Sequence, residues 1–246
     1  MRVNGIDLST KYDSKKLLFG QQTVNDREIS SFLQWPDYYD IPIGTSERPK
    51  EKYFPIDLEF VVRADSKTEA EMIISNLLSD LSHGQYELDN MDFIYEGEIS
   101  SYNKTFVNSW DYILNITINA WSKSGQLKTE SVGTVSSKNI NNPGNQVTPC
   151  IIELMPDNSI TTFTIKGVAR DPVSNSDEDI IIKNLVSGQK VIVDGLTGTI
   201  TQNGENKFQD ADFWEFPTLL PGNNSLSFQS SGATCNVTIK YYPKYF

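Results

Sequence analysis

The chain has 246 residues, 38% of them hydrophobic and 22% charged, which suits a folded globular protein and excludes a wholly disordered one. Its formal net charge of -11 disfavours nonspecific nucleic-acid binding, which needs a surplus of lysine and arginine to neutralise phosphates. This length suffices for one large β domain or two smaller ones.

No apolar run approaches the roughly 20 residues that would span a bilayer. The N-terminal stretch MRVNGIDLSTKYDSKKLLFG has neither a continuous apolar core nor a small-residue cleavage site, so no signal peptide is expected. The sequons at Asn103, Asn115, Asn223 and Asn236 are accordingly read as chance matches.

In chain order, the first irregular segment is 34–52, with Trp35, Tyr38, Tyr39 and Ile41 inside it and Tyr53 and Phe54 beside it. Long loops in compact domains are usually functional or disordered, and this aromatic content favours an ordered arm contacting another chain. Pro55–Val62 alternates Ile56, Leu58 and Phe60 with Asp57 and Glu59, a strand period.

One helix is expected at about 66–82. Ser66 is the N-cap, Glu69 completes a capping box, and Ala70, Ile73, Ile74, Leu77, Leu78 and Leu81 form one face. His83-Gly84 supplies the stop. A lone amphipathic helix must lay its stripe on a sheet, so the first half is read as α+β. Tyr112–Trp121 returns to strand alternation.

Residues 122–148 are polar, rich in Ser, Asn, Gly and Thr, and read as a linker or exposed connection. The fold class is therefore mainly β, in two sandwich-like domains, 1–138 and 139–246. Short strands follow at 151–154, 163–168, 179–182, 190–194, 198–202, 225–229 and 235–242, separated by turn dipeptides such as Asp194-Gly195 and Asn203-Gly204.

Catalytic chemistry finds little footing. His83 is the only histidine and sits where the helix is expected to end, a favourable cation position. Asp212 and Glu215 flank Phe213-Trp214, an arrangement that suits sugar cleavage in principle. Asp177-Glu178-Asp179 could offer oxygen ligands to calcium but lacks the ordered loop spacing, and reads as a solvated loop. Cys150 and Cys235 form no metal or redox motif. They read as small buried residues, with oxidation across neighbouring strands as the alternative. No catalytic residue, metal or cofactor is assigned.

Residues 188–246 give a strand ending in Val193-Asp194, a short strand over 198–201, Asn203-Gly204, and then Phe216-Pro217, Leu219, Pro221-Gly222 and Asn223 before an alternating strand. The chain closes on a strand ending in Tyr241-Tyr242-Pro243. This order resembles the siphophage distal tail proteins. The first half is similar in pattern, from Val3-Asn4-Gly5-Ile6 through the arm, the single helix and the β run to Trp121.

The resemblance implies a structural protein of the virion tail tip. Its N-terminal domain would form a homo-hexameric ring, and its C-terminal domain would be a galectin-like or carbohydrate-module-like sandwich. Partners implied are the tail tube, tape measure and tail-tip, baseplate or receptor-binding proteins, with neither nucleic acid nor membrane insertion. A carbohydrate-binding or adhesion module is the alternative, with Trp214 as its sugar contact. On physical grounds, however, Trp214, Phe216 and Leu219 are expected to close the edge of the sandwich core.

Overall fold

The computed structural model describes residues 1–26, 53–89, 91–170 and 176–246, with the backbone of a short strand pair, Leu33–Gln34 and Ile43–Gly44. Trp35, Tyr38, Tyr39 and Ile41 of the expected contact arm lie outside the described residues. The chain divides into two compact units, Met1–Lys123 and Ser124–Phe246.

The first unit is built on strand Phe54–Val62. Its neighbours are Asp111–Ser124, in register from Phe54↔Ala120 to Val62↔Tyr112, and Leu17–Val24 on the other side. Period-two alternation sends Phe54, Ile56, Leu58, Phe60 and Val62 into the core while Asp57 points out. The sheet extends from Asp111–Ser124 through Ile94–Asn108 and His83–Glu87 to the N-terminal strands Arg2–Val3 and Ile6–Asp7.

The helix spans Lys67–Asp80, buries Ala70, and covers this core with Ile74 and Leu77, joined by Leu81 just past its end. Each fully buried leucine or isoleucine contributes about 1.5–3 kcal/mol. The Ser66 hydroxyl accepts from the Glu69 N–H at 3.2 Å. The Glu69 carboxylate reaches one residue further back than a capping box requires, to the Asp65 N–H at 2.8 Å. The stop differs from the expected one. The helix ends at Leu81, whose N–H still bonds Leu77, and His83-Gly84 already belongs to the strand His83–Glu87. His83 is therefore no helix-terminal cation. It stacks on Trp121, ring centroids 5.7 Å apart.

The second unit is a two-sheet sandwich. One sheet runs Lys128–Gly133, Cys235–Tyr241, Thr148–Pro156, Val191–Asp194, Thr199–Gln202 and Glu205–Asn206 in spatial order. The other runs Ser137–Asn142, Gly222–Ser230, Ile160–Arg170, Asp177–Leu185 and Ala211–Asp212. Cys150, Ile152 and Leu154 from the first meet Phe163, Ile165, Ile180 and Ile182 from the second in one continuous core.

The division at 123/124 replaces the expected boundary at 138/139, and the stretch 122–148 is not a linker. Lys128–Gly133 pairs with Cys235–Tyr241, and Ser137–Asn142 pairs with Gly222–Ser230. Both lie at the edge of their sheet and bury only Val132, Ile140 and Asn142 between them. Edge strands with so few inward residues carry almost no apolar alternation, which is why this stretch reads as a connection.

Candidate interaction surfaces

At one end of the sandwich, Lys207 is buried although charged. Its amine donates to the Asn184 carbonyl at 2.9 Å and to Asp210 at 2.8 Å, and Asn184 donates to the same carboxylate. The Lys207 hydrogen bond, followed by that of Asn184, holds the Asp210 carboxyl below its usual range. This fixes the short turn Phe208–Asp210, which feeds the strand Ala211–Asp212 onto Asp177–Leu185.

The chain then rises into a tip. The Glu178 carboxylate accepts from the backbone N–H of Trp214 at 2.7 Å and of Glu215 at 3.3 Å. Phe213 packs edge-on to Phe216, centroids 5.3 Å apart, and both lie against the core. Trp214 is 92% exposed, so it does not close the sandwich edge as expected. Leu219 does close it, wholly buried, with Phe216 half-buried beside it.

The segment after the tip is tied down by two buried amides. Asn224 accepts from the Leu220 N–H at 2.8 Å and donates back to the Leu220 carbonyl at 2.9 Å, closing the turn through Pro221-Gly222. Asn142 donates to Thr148 and to the Leu220 carbonyl, and accepts from the Gly144 N–H. Asn223, named in the sequence pattern, is exposed, whereas Asn224 carries the turn. The only sequence signal for it was the second asparagine of an Asn-Asn pair following Pro-Gly.

In the first unit, the two described arm-flanking residues separate. Tyr53 is half exposed, while Phe54 is turned into the core, edge-on to Tyr95 and beneath the Lys123 amine. Phe54 thus belongs to packing rather than contact.

A surface that sequence reasoning missed is the far half of strand Ile94–Asn108. His83–Glu87 pairs with it only from Ile94 to Glu98, and the Ile99 N–H bonds the Ser82 carbonyl. Beyond that point, no further strand flanks this side among the described residues. Every residue from Ser100 to Trp110 is exposed, including Tyr102, Phe106, Val107 and Trp110. Phe106 lies edge-on to Tyr112 and is 60% exposed. Lys104 bonds Glu71 of the helix at 2.6 Å.

The residues weighed for chemistry are engaged elsewhere. Asp212 pairs with Lys183, Asp177 with Arg170 and Asp179 with Lys166, and the last two stand on a strand rather than in a solvated loop. Among the described residues, no group of three or more His, Cys, Asp or Glu is gathered as a cation site. No described helix is long and apolar enough to cross a membrane. Cys150 stands opposite Tyr241 and Cys235 opposite Pro156, at opposite ends of one strand pair, so register rules out the expected alternative of a cross-strand disulfide.

Residues 143–245 match the family of the siphovirus-type tail component, C-terminal domain. The crystal structure of the Dit protein of phage SPP1, described as a paradigm of the hub adsorption apparatus in phages infecting Gram-positive bacteria, superposes with a TM-score of 0.70 and 16% identity. That similarity covers 99% of this chain and 98% of the SPP1 chain. A chain of the phage P2 baseplate in its calcium-activated conformation gives a TM-score of 0.54 at 11% identity, over 92% and 90% of the two chains. No curated protein matches. The resemblance read from the sequence thus holds: the whole chain shares the fold of the SPP1 Dit protein, and residues 143–245 of its second unit match the tail-component family.

Proposed function

We propose that this chain, sharing its fold from end to end with a phage tail hub protein, is itself a structural distal tail protein of a siphophage. Six copies would form a ring through the first unit, joining the tail tube and tape measure proteins to tail-tip, baseplate or receptor-binding proteins. Its place would be the virion tail tip. The observation that carries this reading is the TM-score of 0.70 over 99% of the chain, together with the family match over 143–245. Closed rings need a head-to-tail interface made of two different patches per subunit. Tyr53 and the arm residues Trp35, Tyr38, Tyr39 and Ile41 are proposed on one side of it. Negative-stain imaging of the purified chain and of phage tails tests the ring. Six-fold rings support it, and tails without a six-fold layer containing this chain would overturn it.

A second reading is favoured by one observation, the exposure of Trp214 on a tip pinned by Glu178. A flat aromatic ring held in water beside Asp212 and Glu215 suits stacking against a sugar face. In this reading the second unit is a galectin-like carbohydrate-binding or adhesion module. A glycan array with the native chain and Trp214→Ala decides it: binding lost with an unchanged fold supports the module, and no binding by either protein ends it.

A further inference from the structure

We propose that Asn203 is a site of spontaneous covalent modification, where the side chain closes onto the Gly204 main-chain nitrogen and loses ammonia, while the fold protects the same dipeptide at Asn4-Gly5. The chain carries this pair twice, and both copies sit in the same backbone geometry. Each forms the two-residue loop of a hairpin, between Val3 and Ile6 in the first unit and between Gln202 and Glu205 in the second. Both asparagines have φ 51°, followed by glycine at 77° and 91°, the combination of a type I′ turn. Both asparagine N–H groups donate to a carbonyl outside the hairpin, Asn4 to Gln85 at 2.9 Å and Asn203 to Lys190 at 2.8 Å. Sequence and backbone are therefore matched, and the surroundings of the side chain differ.

The Asn4 amide is clamped. Its oxygen accepts from the Gln85 N–H at 2.9 Å, and its nitrogen donates to the His83 carbonyl at 3.4 Å. To reach the Gly5 nitrogen, this carboxamide must give up both bonds. Asn203 is exposed, and its side chain has no hydrogen-bond partner among the described residues. Gly204 has no Cβ to shield its nitrogen, and open space lies where one would stand. The second hairpin is also the less anchored. Glu205–Asn206 is a two-residue strand at the end of its sheet, whereas Arg2–Val3 is paired on both sides. Short terminal strands open locally at little cost, which gives the free amide further room to turn.

The reaction needs only water and hydroxide. Hydroxide takes the proton of the Gly204 nitrogen, which attacks Cγ of Asn203. A new C–N bond closes a five-membered succinimide. The bond from Cγ to the side-chain nitrogen breaks, and that nitrogen takes up a proton and leaves as ammonia. Water then adds to one of the two ring carbonyls. Opening on the side-chain side gives aspartate, and opening on the main-chain side gives isoaspartate, whose chain runs through Cγ. Nothing is oxidised or reduced. Either product carries a negative charge at neutral pH where the amide had none. Isoaspartate also adds a carbon to the main chain of a loop only two residues long, so Gln202 and Glu205 can no longer pair as before. Lys207, whose N–H bonds the Ile200 carbonyl at 2.9 Å, follows directly on that strand and is the next anchor to be disturbed.

The test uses the full chain, held at a mildly alkaline pH at which circular dichroism shows it folded, and sampled over days. Digestion and tandem mass spectrometry locate each gain of about 1 Da, and electron-transfer fragmentation separates aspartate from isoaspartate. In the folded chain Asn203 should convert roughly tenfold or more faster than Asn4, the factor that two hydrogen bonds can impose, with isoaspartate among its products. In guanidinium, where the clamp on Asn4 is gone, the two rates should converge. Equal rates in the folded chain, faster conversion at Asn4, or no conversion at Asn203 would overturn the proposal. A difference that persisted undiminished in guanidinium would overturn it as well, because the flanking sequence rather than the fold would then be its cause.

Discussion

Glu178 and Trp214 meet through the backbone, not through their side chains: the carboxylate takes the Trp214 N–H at 2.7 Å and leaves the indole in water. A strand residue thereby fixes the direction of an exposed ring it does not touch. Glu178→Ala should free two N–H groups near the surface and cost about 1 kcal/mol, since solvent replaces part of the lost bonding. Urea titration measures that loss. Acrylamide quenching measures the loosened tip, read against Trp214→Ala.

Asn224 and Asn223 are adjacent in sequence and opposite in consequence. Truncating Asn224 to Ala leaves the Leu220 N–H without its partner and its carbonyl with the Asn142 amide alone in a buried turn. The expected loss is about 2 kcal/mol or more, against less than about 0.5 kcal/mol for Asn223→Ala. Denaturant midpoints of the two variants provide the comparison.

Acid should unfold the second unit partly through Glu153. Burial raises its carboxyl, but hydrogen bonds from Lys240 at 2.8 Å and Lys190 at 3.2 Å outweigh that and lower it. A lowered carboxyl contributes stability that is full above its unfolded value of about 4.5 and is lost as pH falls through the folded value. Glu153→Gln should therefore flatten the acid limb of the stability curve below that pH and leave its slope near neutrality unchanged.

Neither thiol should react in the native state. Burial pushes Cys150 well up and Cys235 to about 12, which keeps both protonated at ordinary pH. Ellman's reagent at pH 8 should find almost no accessible thiol in the folded chain and both in guanidinium. Oxidants should leave the monomer without an internal disulfide.

The position of the domain cut can be tested with fragments. Residues 124–246 should melt cooperatively, as should 1–123. A fragment starting at 139 loses Lys128–Gly133 and bares the edge of Cys235–Tyr241. It should aggregate or melt at least several degrees lower in a thermal scan, and an equal melt for 124–246 and 139–246 would contradict the assignment.

What could be read from the sequence followed from how strongly burial marks a residue type. Phe54–Val62 and the Ala70 to Leu81 stripe each bury one face, and each was legible. Lys128–Gly133 and Ser137–Asn142 bury so little that they looked like loop. Aromatic residues misled in both directions: Trp214 looked like core and is exposed, whereas Phe54 looked like contact and is core. Side-chain type gives the cost of exposure, but direction depends on strand phase and on partners such as Glu178 and Asn142, which come from distant parts of the chain. The open edge at Ser100 to Asn108 was invisible because it is defined by where a neighbouring strand stops.

The edge strand that opens the second unit also sets a timetable. Lys128–Gly133 is among the first parts of that unit to leave the ribosome, and its ladder partner, Cys235–Tyr241, is among the last. The Tyr241 hydroxyl even returns to the Asn141 carbonyl across 100 positions of sequence. At about 5–20 residues per second, synthesis separates the two by several seconds or more. During that interval the strands of Met1–Lys123 are already made, while the second unit is an unclosed sheet lacking the strand that joins its edge strand Lys128–Gly133 to Thr148–Pro156. Closure of the sandwich therefore waits for the last strands of the second unit and is a non-local event of the kind that folds slowly. Nascent chains would gather with their first units finished and their second units still waiting.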